Sequence, residues 1–351
     1  MPDTLIIDGD YLEGGGQILR TAAALSLLTR RKIKIYDIRK RRPKPGLRPQ
    51  HLAILNALVD ISKAKISGLN IDSQEIEFSP VDFIKVKSLV EIDTRTAAAI
   101  GLILQPLILV AAFLTGGISL RIYGGTSVLG SMPVEYYENV IFPTLRRVGL
   151  KAQLKIIRYG FYPKGGGLVS ADIGALDGPR PLIKEEQGKI RYIQGLSVAS
   201  KELVENKVAQ RQADAALEHL KQKFSCPIGI EKLYVDTEST GSQISLFAYT
   251  SKDVRLGADC RGEKGKSAES VGLDAASALE QEIKSGAAVD RHMADNAIPW
   301  LALLGGSILT SELTDHAKTN IWVCEQFFGK IFEIQDNSVK VQDAQIKRGL
   351  I

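Results

Sequence analysis

The chain has 351 residues, 44% apolar and 24% charged, which is enough to bury the cores of two domains and rules out a disordered or collagenous chain. Its net charge of +5 at pH 7 permits a polyanionic partner without requiring one. Cys226, Cys260 and Cys324 lie far apart and form no C-x-x-C pair, and the N-terminus lacks a signal-peptide pattern. A disulfide framework or zinc ribbon is therefore not expected, and a reducing, cytoplasmic setting is.

In chain order, residues 5–9 read as a leading strand, 14–29 as a glycine-led apolar helix and 32–38 as a strand. A basic turn and a second helix at 50–63 follow, then strands at 65–69 and 75–79. The series restarts at Asp93 with an apolar helix at 94–114, a strand at 118–123, a helix at 133–148 and strands at 151–158 and 167–172. A third copy has a helix at 292–304, a strand at 307–312, a helix at 318–328 and strands at 332–335 and 338–341. One such unit cannot bury its own apolar face, so three are expected to pack together. Residues 97–114 carry no charge, but Gln105 and Pro106 interrupt them, so the stretch is read as a buried core helix and no membrane association is expected. Residues 174–188 read as a linker. After it, strands at 191–197, 229–235 and 243–249 and helices at 201–223 and 268–284 break the rhythm. The expected division is a repeat domain at 1–185 and 277–351 with a small α/β domain, 186–276, inserted in it.

Five stretches could carry chemistry. The first is EGGGQILR at 13–20, where glycines before a helix let backbone amides approach an anion, Glu13 could hold a divalent cation and Arg20 a phosphate. The second is 39–51, where Arg39, Lys40, Arg41, Arg42, Lys44 and Arg48 are stiffened by Pro43, Pro45 and Gly46 and lead into Gln50 and His51, a pattern suited to phosphate. The third is the glycine-rich pair at 124–126 and 160–167. The fourth, His292, Met293, Ala294, Asp295 and Asn296, opens an apolar helix and could line a small-molecule pocket. The fifth is Thr314–Asn320, written T-D-H-A-K-T-N, in which Asp315 reads as an N-cap and His316 falls in the first turn. A neutral imidazole there is a competent nucleophile facing an anion site. No G-x-x-x-x-G-K-[ST] loop is present, so nucleotide use would need another kind of site.

Taken in this order, the five stretches resemble the RNA 3′-terminal phosphate cyclases over nearly the full length. EGGGQILR, the 39–51 loop, GFYPKGGG at 160–167, the AD(N)…P stretch at 294–299 and H-x-x-TN at 316–320 carry the resemblance. It implies an α/β (α+β) fold of three βαβαββ-type repeats, similar to the C-terminal domain of translation initiation factor three, plus the insert. It also implies that His316 attacks ATP, forming a histidyl-AMP and releasing pyrophosphate. AMP then passes to an RNA 3′-phosphate, and the neighbouring 2′-OH displaces it to close a 2′,3′-cyclic phosphate. By the same resemblance Glu13 ligates Mg²⁺ or Mn²⁺, and Arg20, Arg39, Arg42, Gln50 and His51 surround phosphates. Gln105, Pro133 and the segment from His292 to Asn296 contact the nucleotide. His292 and Asn296 replace an aromatic residue and a glutamine of bacterial relatives. The implied partners are ATP and RNA 3′-phosphate ends, and a homo-oligomer is compatible with the pattern. Two rival readings are a non-catalytic ribosome-assembly branch, which lacks the histidine, and an enolpyruvyl-type transferase of related architecture. A simple RNA-binding module explains the basic loop alone.

Overall fold

The computed structural model describes residues 4–81 and 89–345. Three units share one plan, strand–helix–strand–helix–strand–strand. The first has β1 (Leu5–Asp8), α1 (Gly16–Thr29), β2 (Ile33–Tyr36), α2 (Pro49–Ser62), β3 (Lys65–Ser67) and β4 (Ile76–Ser79). The second has β5 (Leu89–Asp93), α3 (Ile100–Ala112), β6 (Ile118–Gly124), a π-helical turn Tyr137–Ile141 running into α4 (Phe142–Arg146), β7 (Ala152–Arg158) and β8 (Gly167–Ile173). The third opens with β9 (Leu182–Lys184) and, after the insert, continues with α7 (Arg291–Leu304), β14 (Gly306–Leu309), α8 (Asp315–Phe328), β15 (Glu333–Gln335) and β16 (Ser338–Val341).

Each unit's sheet has the same order, with the leading strand parallel to its neighbour and the closing pair antiparallel: β1-β2-β4-β3, β5-β6-β8-β7 and β9-β14-β16-β15. The registers correspond, Leu5 opposite Ile33 in the first and Leu89 opposite Ser119 in the second. Alternation sets the two faces: in β2, Ile33 and Ile35 are buried, while Lys34 on the other face pairs with Glu75 at 2.8 Å. The helices turn their apolar faces inward, and α1, α3, α7 and α8 pack on one another in one core shared by all three units.

The insert begins after β9. It contains β10 (Ile190–Ser200), α5 (Val208–Lys223), β11 (Ile228–Val235), β12 (Ser242–Thr250), β13 (Arg255–Arg261) and α6 (Ala268–Lys284), with sheet order β11-β10-β12-β13. A second core lies between this sheet and α5 and α6, from Ile193 through Ile283 to Ala288. The whole of α6 thus packs with the insert, whereas the expected boundary at 276 would cut the helix in two. We draw the insert at about 186–288 accordingly.

Four further expectations change. Residues 94–99 are not helical: Gly125 N–H donates to the Ala98 carbonyl and Ile100 N–H to the Gly125 carbonyl, tying the segment to β6. The expected helix at 133–148 is the π-turn and α4. The helix expected from 201 starts at Val208, because Lys207 has φ 50°. The linker at 174–188 contains β9. The apolar stretch at 97–114 yields α3, 13 residues long, and no helix among the described residues is long and apolar enough to cross a membrane.

Candidate active site

One cleft of about 820 Å³ is lined by all three units and, on one side, by the insert. Glu13, Arg20, Arg39, Arg42, Gln50, Gln105, His292, Asp295 and His316, all expected from the sequence, line it. Thr314 and Asn320, the two ends of the fifth stretch, line it too, as do Asp259 and Arg261, which sequence reasoning did not single out.

α1 begins at the cleft. Gly15 is its N-cap and makes no side-chain cap bond, and Gly15 and Gly16 both face the cleft. A Cβ on Gly16 would stand 2.5 Å from His51 Nε2, so only glycine allows this approach. One turn in, Arg20 is 6% exposed and burial lowers it to about 10, so it remains a guanidinium at neutral pH. The Nε groups of Arg20, Arg39 and Arg42 are buried without a hydrogen-bond partner. Unpaired guanidinium donors in a cleft are matched to phosphate oxygens.

Only part of the basic loop serves the cleft. Arg41 Nε donates to Asp10 Oδ2 at 2.6 Å, Lys40 pairs with Asp37 at 2.9 Å, and Arg48 pairs with Asp72. Arg39 and Arg42 face the cavity; Arg39 donates from one terminal nitrogen to the Lys44 carbonyl at 3.2 Å and Arg42 stands 3.6 Å from Glu13, but their Nε groups stay unpaired. His51 is completely buried beneath it and does not line it. Its Nδ1 accepts from the Arg48 backbone N–H at 3.0 Å, and burial, followed by Arg20, Arg39 and Arg48, lowers it to about 3. His51 is therefore a neutral packing partner of Gly16 and Arg20.

α8 presents the histidine. Thr314, not Asp315, is the N-cap: its Oγ1 accepts from Ala317 N–H at 3.0 Å. The same hydroxyl donates to Asp295. His316, in the first turn, is half-exposed at 47%, and its Nδ1 stands 3.1 Å from Glu13 Oε2. A carboxylate there favours the Nδ1–H tautomer and leaves the Nε2 lone pair free. Burial lowers the pKa of His316, Glu13 opposes that, and Arg20, Arg42 and His292 reinforce it. The imidazole is thus neutral at neutral pH.

The residues expected to contact a nucleotide divide. Asp290 caps α7, accepting from the His292 and Met293 N–H groups. This sets His292 and Asp295 on the cleft, while Met293 and Ala294 are buried at 1% and 0% exposure in the core and do not reach it. Gln105 Nε2 donates to Asn296 Oδ1 at 3.1 Å, closing the floor where a small neighbouring cavity lies. Pro133 is not on the lining; Ser131 and Met132 beside it are. Burial pushes Asp295 up to about 7. Asn320 Nδ2 donates to the Asp295 carbonyl at 2.8 Å and its Oδ1 accepts from Thr21, so α1, α7 and α8 are locked together under the cleft.

Among the described residues no group of three or more His, Cys, Asp or Glu could hold a metal ion. Glu13 offers one carboxylate, whose Oε2 makes no hydrogen bond but has the ring nitrogen of His316 at 3.1 Å and a guanidinium nitrogen of Arg42 at 3.6 Å beside it. That fits a Mg²⁺-type site in which substrate phosphates and water supply the remaining oxygens.

Comparison with known proteins points the same way. The family model described as RNA 3′-terminal phosphate cyclase matches residues 11–334. A protein of that name from Thermococcus kodakarensis is 44% identical over 329 residues, 94% of each chain. One from Pyrococcus furiosus is 43% identical over 331 residues, 94% of this chain and 95% of the relative. One from Methanopyrus kandleri is 40% identical over 337 residues, 94% of both.

Proposed function

The chain belongs to the RNA 3′-terminal phosphate cyclase family, a family of ligases, and from that membership we propose that it converts an RNA 3′-phosphate into a 2′,3′-cyclic phosphate at the expense of ATP, with His316 carrying AMP. The observation that carries this reading is the position of His316: neutral, faced at Nδ1 by the Glu13 carboxylate 3.1 Å away, and set among guanidinium groups whose Nε donors are unpaired.

The residues account for the chemistry in order. Arg20, Arg39 and Arg42 neutralise the polyphosphate and orient its α-phosphorus. His316 Nε2 attacks that phosphorus and pyrophosphate leaves. The Nδ1 proton stays against Glu13, which stabilises the imidazolium character that develops. A divalent ion at Glu13, Mg²⁺ or Mn²⁺, would supply further charge neutralisation on the phosphates. Gln105, His292 and Asp295 line the part of the cleft that would take the nucleoside, and Asn296, bonded to Gln105, lines the small cavity beside it. The 3′-phosphate of RNA then accepts AMP from the phosphoramidate, which makes its bridging oxygen a good leaving group, and the adjacent ribose hydroxyl closes the ring. We place the reaction in the cytoplasm, where three free cysteines stay reduced.

Incubation with α-labelled ATP and a divalent metal should give an acid-labile, alkali-stable protein–AMP adduct. His316→Ala should abolish it. Equal labelling of the variant and the wild type would refute this assignment.

A further inference from the structure

The insert forms a wall of the cleft that the transfer of AMP to His316 does not use. Its edge strand β13 brings Asp259 to the lining, only partly open to solvent, and among the described residues its carboxylate has no hydrogen-bond or ion-pair partner. The strand is fixed in place. Two residues earlier, Gly257 N–H donates to Asp290 Oδ2 at 2.8 Å, and Asp290 is the cap of α7, which carries His292 and Asp295. Gly257 packs on Tyr136 so closely that a Cβ would lie 2.6 Å from the ring, and Tyr136 donates to Asp290 in turn. Asp259 is thus mounted on a strand braced against α7 and borders the same cavity as the start of α1.

We propose that Asp259 is the general base of ring closure, taking the proton from the terminal ribose 2′-OH as O2′ attacks the adenylated 3′-phosphorus. This rests on the function proposed above. In that step the O2′–H bond breaks and its proton goes to a carboxylate oxygen of Asp259. O2′ bonds to the 3′-phosphorus, and the bond from that phosphorus to the oxygen bridging to AMP breaks. AMP leaves with the electron pair and is later released with the cyclic product, and no oxidant or further reactant is consumed. A ribose hydroxyl is a very weak acid, so the transition state benefits from a fixed base whose pKa lies near the working pH. Burial, and then the repulsion of Glu135 and Asp290, push Asp259 up to about 7 against the pull of Arg261 on its own strand. At neutral pH a large share of the carboxyl is ionised and still basic.

The test separates the three steps in a single turnover. Wild-type and Asp259→Asn enzyme are charged with labelled ATP and mixed with an RNA oligonucleotide ending in a 3′-phosphate. Protein–AMP, RNA(3′)pp(5′)A and the cyclic end are then resolved over time. The variant should label within about 2-fold of wild type and accumulate RNA(3′)pp(5′)A, because closure slows about 100-fold or more. Wild-type closure should rise with pH through about 7 and level off, a dependence lost in Asp259→Asn and partly recovered in Asp259→Glu. Closure at the wild-type rate overturns the proposal, and so does an equal slowing of all three steps, which marks a structural role. If wild-type enzyme never labels, it is the cyclase reading that falls, and this inference with it.

Discussion

α1 and α8 begin at the same cleft, pack side by side and are joined by the Thr21–Asn320 hydrogen bond, yet they start in opposite ways. α1 opens on Gly15 and Gly16 with no side-chain cap, and α8 opens on Thr314 with one. An uncapped end leaves N–H donors and the positive end of the helix dipole to a ligand. A capped end spends its donors internally and gains a fixed first turn, which suits a side chain that must be aimed. On the proposed reading the first receives phosphate and the second delivers the imidazole. The contact between Glu13 and His316 bridges the two.

That bridge is where the division breaks most severely. Glu13→Gln keeps the size of the side chain but removes the charge that fixes the His316 tautomer. Labelling should slow at least roughly 100-fold, as when a carboxylate behind a catalytic imidazole is neutralised. An unchanged single-turnover rate would show that Glu13 does not govern His316. Gly16→Ala attacks the uncapped end. The new methyl would meet His51, which is fully buried and has nowhere to move, and should cost about 2 kcal/mol of stability. The same change should raise the KM for ATP more than it lowers kcat; a thermal melt at the wild-type temperature would show that the approach is looser than described. Thr314→Ala attacks the capped end. It removes the bonds to Ala317 N–H and to Asp295 and should cost about 1 kcal/mol, roughly 2 °C in Tm, with a smaller loss of labelling than Glu13→Gln gives.

The same contrast governs what could be read from sequence. The uncapped end is local: EGGGQILR is one uninterrupted motif, so Glu13, Arg20 and the glycines were legible. The repeat plan was legible too, because period and β-branched runs recur in each unit. The capped end depends on partners remote in sequence. Asp295 and Thr314 are 19 residues apart, and Thr21 and Asn320 are 299 apart, so no spacing announces either bond. The basic loop misled for the same reason: Asp10, Asp37 and Asp72, outside its run of charge, occupy half of its cations. Alanines at 97–99 favour helix locally, but pairing with Gly125 holds them extended, which is a tertiary override of propensity. β9 has three residues within a stretch rich in glycine and proline, too few for alternation to register. β13 was hidden because it is an edge strand in which Gly257, Asp259 and the charged ends Arg255 and Arg261 blur the apolar alternation, and it brings the insert's wall to the cleft.

The shallowest test concerns what lies beneath the uncapped end. His51 has a pKa of about 3 in the fold against an ordinary 6.5, so between those values the unfolded chain binds the extra proton. Stability contributed by this group is therefore complete above about pH 7 and falls as pH drops through 6.5 toward 3. Near neutrality the effect is small, less than about 1 kcal/mol between pH 7 and pH 6. His51→Gln, which keeps an acceptor for Arg48 N–H, should flatten that slope in urea titrations at pH 5, 6 and 7. His316, half-exposed and lowered by burial against the pull of Glu13, should lose AMP labelling as it protonates at pH values below 6.5. A stability slope that survives His51→Gln would place the acid-sensitive group elsewhere. Labelling that falls already above pH 6.5 would mean that Glu13 outweighs burial at His316 and that the imidazole at the capped end is a charged one.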